Sequence, residues 1–232
     1  MISIILATYN ERENIAKTIS ELFKYIKERL EVIVVDDNSP DETWKIVENL
    51  HNPNVKLIRR IGTKGLASAF NRGIIESRGG IVGWMDADMC MPPSLIPKMI
   101  EELEHADIVI GSRYVEGGKD ARSLLRVVTS KMINLFAGLM LGFDIKDYDS
   151  GFIVLKRKVF DKVTLYPEGY GSYFVEFLYT AKKKGFKIKE VPYIFKDREK
   201  GESKSAPNIL RLFYLGMEYG LRIIHTRFKR IK

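Results

Sequence analysis

The first 115 residues alternate strand-like and helix-like segments with short links, and this alternation limits the fold more than any other feature. The strand-like segments are short apolar runs, and the segments between them repeat apolar residues at steps of three and four. Such alternation is typical of a mainly parallel sheet with helices on both faces, so we predict an α/β fold. The predicted strands are Ser3–Ala7, Val32–Val35, Val55–Ile58, Ile81–Met85 and Ile108–Ile110.

Four helices are predicted between these strands. The apolar residues from Ile15 to Leu30 lie on one face of the first helix. Ser39 is the predicted N-cap of the second, because Pro40 and Glu42 follow it in what would be the first turn. The third and fourth helical patterns cover Leu66–Ser77 and Ser94–Glu104.

Composition and charge indicate what kind of protein this is and what it can bind. The chain has 232 residues, of which 45% are hydrophobic and 29% charged, and this is the composition of a globular protein. Its single cysteine, Cys90, excludes an intramolecular disulfide and indicates a reducing compartment. Residues 1–116 carry 14 Lys and Arg against 18 Asp and Glu, whereas residues 117–232 carry 24 against 12. The second half should therefore attract anions: nucleic acid, phosphates or an anionic membrane face.

Two segments of the second half have an amphipathic pattern. Leu124–Leu141 is apolar but carries two charges, so we expect an amphipathic helix and not a membrane span. A helical pattern also begins at Pro207 and ends in a basic segment, which is typical of a helix in a membrane interface or of a core helix with a solvated tail. No signal peptide is visible. The remaining predicted elements are the strands Phe152–Leu155 and Lys187–Pro192, the helix Phe174–Lys183 and a charged loop from Arg198 to Lys204.

Polar side chains follow four of the predicted strands. In open α/β sheets ligands bind beyond the carboxyl ends of the strands. Asp86 and Asp88 come directly after Ile81–Met85, and residues two apart point the same way while the chain stays extended. Paired carboxylates at a strand end suit Mg²⁺ or Mn²⁺ that also binds a substrate diphosphate.

Other common sites are not indicated. The sequence has neither a glycine-rich dinucleotide-binding motif after a strand nor a P-loop. Its three histidines are far apart, and Cys90 has no obvious catalytic partner, so we interpret Cys90 as a small neighbour of Asp88.

Seven short motifs occur together and in a fixed order. Each is weak alone, and the set is highly specific. They are Thr8-Tyr9-Asn10-Glu11, Val35-Asp36-Asp37-Asn38-Ser39-Pro40-Asp41, Lys64-Gly65-Leu66-Ala67-Ser68-Ala69, Asp86-Ala87-Asp88, Gly111-Ser112-Arg113-Tyr114, Asp149-Ser150-Gly151-Phe152, and Arg198 with Gly201-Glu202-Ser203-Lys204.

With these motifs the chain resembles the family-2 inverting glycosyltransferases, and within them the dolichyl-phosphate mannosyltransferase branch. The resemblance implies a GT-A fold and runs from the first strand to about Lys204. Combined with the two amphipathic patterns, the resemblance predicts a catalytic domain over residues 1–204 that includes an amphipathic helix at about 122–141, and a C-terminal membrane-interface helix over 205–232. It further implies sugar transfer from a nucleotide sugar, GDP-mannose or UDP-glucose, to a polyprenyl or dolichyl phosphate. We therefore expect a peripheral protein on the cytoplasmic face of the membrane, without a transmembrane span and without a nucleic-acid partner.

The resemblance also implies roles for individual residues. Asp86 and Asp88 would hold Mg²⁺ or Mn²⁺, and Asp88 and Arg113 are the residues we expect catalysis to need most. Arg126 and Ser130, with Arg113, would bind the acceptor phosphate. The residues implied for binding the donor are Tyr9, Glu11, Val35, Asp37, Asp86, Ala87, Asp88, Arg198 and Lys204.

Two departures from the family pattern leave alternatives open. Ala7 stands where the family usually has proline, and Cys90 where it usually has glutamine, so metal and donor choice could differ. A transferase to a glycan would need a base to deprotonate a hydroxyl, and Glu176 is the candidate. A membrane-bound scaffold without activity and a basic nucleic-acid-binding module are further hypotheses; the module would leave Asp86 and Asp88 unexplained.

Overall fold

The computed structural model describes residues 1–196 and 209–231, with residues 209–212 described by their backbone only. Its centre is a seven-stranded sheet in the order β3-β2-β1-β4-β7-β5-β8. All neighbours in this sheet are parallel except β7, which is antiparallel to both β4 and β5. The strands are β1 (Ile2–Thr8), β2 (Leu30–Asp36), β3 (Val55–Arg59), β4 (Ile81–Asp86), β5 (Ile108–Ser112), β6 (Lys119–Asp120), β7 (Ile153–Lys156), β8 (Ile188–Pro192) and β9 (Ile194–Phe195), of which β6 and β9 form a separate parallel pair.

Helices cover both faces of the sheet, as the sequence predicts. Alternate residues of a strand point to opposite faces, and accordingly Ile4 and Leu6 of β1 pack in one core cluster and Ile5 in the other. The α/β prediction is therefore confirmed. The helices are α1 (Ile15–Tyr25), α2 (Thr43–Asn49), α3 (Leu66–Glu76), α4 (Ile96–Glu102), α5 (Leu124–Leu141), α6 (Tyr173–Lys183) and α7 (Ile209–Phe228).

Two local predictions are wrong. Leu30 does not continue α1 but begins β2, because the chain leaves the helix at Ile26 and the buried Leu30 pairs with Ile2 of β1. Ser39 does not cap α2, which begins only at Thr43. The hydroxyl of Ser39 instead donates to the carboxylate of Asp36 at 2.6 Å.

The register of the sheet brings several polar strand ends to one edge. Thr8 of β1 lies opposite Asp36 of β2, and Ala7 lies opposite Asp86 of β4. Because β7 is antiparallel to both of its neighbours, β5 runs in the same direction as β4 and also ends at this edge, at Ser112. One edge of the sheet therefore carries the residues that follow β1, β2, β4 and β5.

The helices α5 and α7 pack against each other at this edge and keep apolar outer faces. The inner side of α7 buries Leu215, Tyr219 and Ile223. By length and composition alone, α5 is the one described helix that could cross a membrane, although Arg126 and Lys131 within it are charged. The large apolar side chains that both helices and the turn after α5 leave exposed are Leu124, Leu125, Val128, Met132, Leu135, Phe136, Leu139, Phe143, Phe213, Tyr214, Met217, Leu221, Ile224 and Phe228.

Candidate functional site

Two adjoining cavities lie at the carboxyl edge of the sheet. We call the first the sheet-edge cavity, since it is formed mainly by residues at and just after the ends of β1, β2 and β4 and by residues at the start of α3. We call the second the helix cavity, since α5 and α7 contribute much of its wall. Four residues line both cavities: Leu66, Asp86, Asp88 and Tyr170. The two cavities therefore meet at the paired carboxylates.

Asp36, the last residue of β2, and Asp37, which follows it, have different roles. Asp36 is fully buried, and its carboxylate accepts hydrogen bonds from the hydroxyls of Thr8 at 2.7 Å and Ser39 at 2.6 Å. Asp37 lines the sheet-edge cavity and pairs with Arg60, which lies 2.5 Å away. The backbone N–H of Gly65, at the start of α3, donates to the other oxygen of Asp37. Asp36 thus ties β1 to β2, and Asp37 fixes the cavity wall against α3.

The residues after β1 complete the sheet-edge cavity. The Lys64 ammonium lies 4.4 Å from the centre of the Tyr9 ring and donates to its hydroxyl at 3.0 Å. Glu11 is buried and accepts a hydrogen bond from the side chain of Asn14 at 3.0 Å. Tyr9, Glu11, Asp37, Asp86, Ala87 and Asp88 are thus brought together as predicted.

Val35 is the exception among the residues predicted for this cavity. Its side chain is fully buried in the core cluster on one face of the sheet. It is not among the described residues that line either cavity. The reason is the alternation along β2, which turns Val35 into the core.

The end of β4 supplies the acidic pair. Asp86 is half-buried and Asp88 is buried, and the backbone N–H of Cys90 donates to the Asp88 carboxylate at 3.0 Å. Cys90 is thus a neighbour of Asp88, as predicted. The described residues contain no group of three or more His, Cys, Asp and Glu side chains that could hold a metal ion. Two carboxylates at the meeting point of two cavities leave the remaining coordination positions of a hard cation to water and to substrate oxygens.

Arg113, directly after β5, is the centre of a buried ion-pair network. Its guanidinium donates to both oxygens of Asp147, at 2.8 and 2.6 Å, and to Asp149 at 3.2 Å. Asp120 lies 3.7 Å from the same guanidinium. Burial alone would lower the pKa of Arg113, but the charges of Asp147 and Asp149 and the hydrogen bonds to Asp147 together outweigh it, so this pKa is held well above its usual value. Arg113 therefore stays charged in a buried wall of the helix cavity.

Asp149 connects the predicted phosphate-binding residues. Its Oδ2 atom accepts hydrogen bonds from both Arg113 and the hydroxyl of Ser130, the latter at 2.9 Å. On the other side it interacts with Tyr219 of α7, whose phenol has a raised pKa because of burial and of this carboxylate. Arg126 lines the same cavity one helical turn before Ser130. Arg113, Arg126 and Ser130 are thus brought together as predicted.

Two residues predicted for donor binding, Arg198 and Lys204, lie outside the residues that the structure describes. Seven residues that were not assigned to the site from the sequence take part in it. Lys64 and Asp149 lie within motifs, which was a usable signal, whereas the other five need the folded structure. The seven are Arg60, Lys64, Arg122, Asp147, Asp149, Tyr170 and Tyr219.

The position of Glu176 in the structure does not allow it to act as a general base in the site. Its carboxylate is buried in α6 and accepts hydrogen bonds from Arg222 of α7 at 3.0 Å and from Lys229 at 2.5 Å. It does not occur among the described side chains that line the two cavities. Glu176 is therefore not available as the base that a glycan acceptor would need. It instead holds α7 against α6.

Comparison with known proteins identifies the family. Residues 3–164 match the glycosyl transferase family 2. The chain belongs to this family. The predicted family membership is thereby confirmed, and Asp86, Asp88 and Arg113 all lie within the matched segment.

Three relatives of this glycosyltransferase have related names. It is 43% identical over 213 residues to the dolichol-phosphate mannosyltransferase of Pyrococcus furiosus, a match that covers 88% of this chain but only 58% of that protein. It is 32% identical to the polyprenol monophosphomannose synthase of Mycolicibacterium smegmatis, with 94% of this chain and 86% of the relative covered. It is 33% identical to the undecaprenyl-phosphate mannosyltransferase of Micrococcus luteus, with 89% and 88% covered.

The fold of this glycosyltransferase also matches solved structures. Glucosyl-3-phosphoglycerate synthase from Mycobacterium tuberculosis, solved with Mn²⁺, UDP and phosphoglyceric acid, superposes with a TM-score of 0.75 and 18% identity. The match covers 99% of this chain and 79% of that one. The same enzyme solved with Mg²⁺ and UDP gives a TM-score of 0.73, again at 18% identity. The predicted GT-A architecture is therefore confirmed.

The buried pair between Asp147 and Arg113 generates a stability prediction. We expect Asp147→Asn to lower the free energy of unfolding by roughly 3 kcal/mol, because it removes the closest counter-charge from a buried guanidinium. Asp144→Asn is the matched control, since the Asp144 carboxylate is 71% exposed and pairs with Lys182 at the surface. Urea unfolding of both variants checks this, and equally small losses would contradict the role given to Asp147.

Proposed function

We propose that this glycosyltransferase moves a sugar from a nucleotide diphosphate sugar to the phosphate of a polyprenyl phosphate. The observation that carries this proposal is the meeting of the two cavities at Asp86 and Asp88. A donor in the sheet-edge cavity and an acceptor in the helix cavity would bring their reacting atoms together at this point. The names of the three relatives, each of which refers to a mannosyltransferase or mannose synthase acting on a polyprenol or its phosphate, support the same reaction.

The sheet-edge cavity suits the nucleotide of the donor. Tyr9 offers an aromatic ring and Glu11 and Asp37 offer carboxylates, which accept hydrogen bonds from base and ribose donors. The rigid ties of Asp37 to Arg60 and Gly65 keep its carboxylate in one place before the donor arrives. We propose mannose as the sugar, because all three relatives' names refer to mannose. For the nucleotide we propose GDP, as the resemblance implies, with UDP-glucose as the alternative donor.

The helix cavity suits a phosphate monoester. Arg113, Arg122 and Arg126 line it, together with the hydroxyl-bearing Ser130. Arginine favours phosphate because its planar guanidinium donates two parallel hydrogen bonds. The lipid tail of the acceptor could leave along the exposed apolar faces of α5 and α7, which adjoin this cavity.

The residues at the junction fit a divalent cation. Asp86 and Asp88 offer hard oxygen ligands, and their number leaves positions for a diphosphate, so Mg²⁺ or Mn²⁺ is the proposed cofactor. When bound, such an ion neutralises the charge that develops on a leaving diphosphate. The Cys90 side chain is a poor ligand for a hard cation, but its backbone N–H orients Asp88 in any case.

The mechanism requires positioning more than proton transfer. The second pKa of a phosphate monoester is about 6, so the acceptor is largely ionised at neutral pH and needs no general base. Arg113 and Ser130 would aim one phosphate oxygen at the anomeric carbon. A new bond from that oxygen to the anomeric carbon forms as the bond to the diphosphate breaks. Attack from the opposite face inverts the anomeric centre, and the nucleoside diphosphate leaves.

We further propose a peripheral membrane location. The exposed apolar faces of α5 and α7 lie beside the basic residues Arg227 and Arg230, both exposed. Apolar area with adjoining positive charge is the combination that binds an anionic membrane surface. Ser130 and Asn134 fix the inner side of α5 to the domain through Asp149 and Tyr148, which favours a helix lying on the membrane over one that spans it.

The transfer reaction gives the test of this proposal. Purified protein with Mn²⁺ or Mg²⁺ and a polyprenyl phosphate should move labelled sugar from GDP-mannose into the lipid extract. Label from UDP-glucose instead would change the donor but keep the mechanism. We expect Asp88→Ala to lower kcat/KM on the order of 10³-fold, because the leaving diphosphate loses its charge stabilisation. The matched control is Asp161→Ala, an exposed position; near-normal transfer by Asp88→Ala would refute the metal assignment.

The membrane proposal predicts an effect of charge on α7. Leu221→Glu should weaken binding to vesicles that contain anionic lipid by about tenfold, because a charged side chain would have to enter the interface. Ile75→Glu on α3 is the matched control, since Ile75 is 70% exposed and Leu221 66%. Sedimentation with vesicles measures both, and equal binding by the two variants would contradict the assignment of this surface.

A further inference from the structure

Tyr170 occupies the junction between the two cavities. It lines both of them, as do Leu66, Asp86 and Asp88. Its side chain is half-buried. Of these four residues it is the only aromatic one, so the junction has one ring beside the two carboxylates.

The loop that carries Tyr170 is held by α7. The backbone N–H of Tyr170 donates to Glu218 Oε1 at 3.2 Å, and the hydroxyl of Ser172 donates to the same oxygen at 2.8 Å. Gly169 has a φ of +92°, a conformation that favours glycine. The carboxylate of Glu218 therefore fixes the backbone of Tyr170 from a helix that is distant in sequence.

Gly171 allows this loop to pass close to α7. A Cβ atom at Gly171 would lie 2.0 Å from the hydroxyl oxygen of Tyr219, so a larger residue would push the loop and the helix apart. Tyr219 in turn interacts with Asp149, which binds Ser130 and Arg113. The loop, α7 and the acceptor side of the site are thus connected by direct contacts.

We infer that Tyr170 is a specificity-determining residue that favours phosphate over water as the acceptor, and that Glu218 positions it. This inference rests on the proposed function. An aromatic face at the junction can pack against the apolar C–H face of the donor sugar and exclude water from the anomeric carbon. The reaction that it suppresses is hydrolysis. There a water oxygen bonds to the anomeric carbon, the bond to the diphosphate breaks and a proton passes to solvent, which releases free sugar and a nucleoside diphosphate.

The ratio of hydrolysis to transfer tests the role of Tyr170. We expect Tyr170→Ala to raise this ratio about tenfold, and Tyr170→Phe to leave it within twofold of the wild type, because the ring is kept. Tyr25→Ala, at the end of α1, is the matched control. A merely structural role would lower both rates together, so an unchanged ratio in Tyr170→Ala would overturn the inference. If the wild-type protein releases nucleoside diphosphate but transfers no sugar to polyprenyl phosphate, the proposed function fails, and with it the role of Tyr170.

Hydrogen exchange tests the role of Glu218 without any assay of activity. Glu218→Ala should speed amide exchange in residues 169–172 at least tenfold, whereas Glu218→Gln, which keeps an accepting oxygen, should protect them nearly as well as the wild type.

In the transfer assay, Glu218→Ala should raise the ratio of hydrolysis to transfer, and adding it to Tyr170→Ala should raise that ratio no further. Unchanged exchange in Glu218→Ala, or additive effects in the double variant, would overturn the positioning role.

Discussion

The buried guanidinium of Arg113 is the interaction on which the acceptor side of the structure depends. A charge that has left water is tolerated only where counter-charges and hydrogen bonds replace its hydration. Asp147 supplies a bidentate partner and Asp149 a second one, while the oxygen of Asp149 that accepts from Arg113 also binds Ser130. The network therefore joins the end of β5, the turn before β7 and the helix α5 into one rigid wall.

The sheet and the helices form different sides of the site. The sheet presents the ends of β1, β2 and β4 to the donor side, where the strand register fixes the positions of Tyr9, Asp37 and Asp86. The helices α5 and α7 line the acceptor side and leave apolar residues exposed on their outer faces. In the proposed reaction this division matches the two substrates, because a nucleotide needs polar groups and a polyprenyl chain needs an apolar path.

Local patterns in the sequence predict the features that depend on neighbouring residues. The five apolar runs of the first half all become strands, and Asp86 and Asp88 lie at the end of β4 as expected, with Asp86 as its last residue. Features that depend on distant partners could not be predicted. Asp147 meets Arg113 across 34 residues only because β7 enters the sheet antiparallel beside β5. The hydroxyl of Ser39 donates to Asp36 in the turn after β2, so Ser39 does not cap a helix. Glu176 is a candidate base in the sequence, but in the structure its carboxylate accepts hydrogen bonds from Arg222 and Lys229.

In the proposed reaction, donor and acceptor meet at Asp86 and Asp88. Anomalous scattering of Mn²⁺ tests this directly in crystals grown with a nucleoside diphosphate and a short prenyl phosphate. We expect a manganese peak at coordination distance from these carboxylates, with the diphosphate on the sheet-edge side and the lipid phosphate at Arg113 and Ser130. Manganese bound away from both carboxylates, or a lipid phosphate bound away from Arg113, would contradict it.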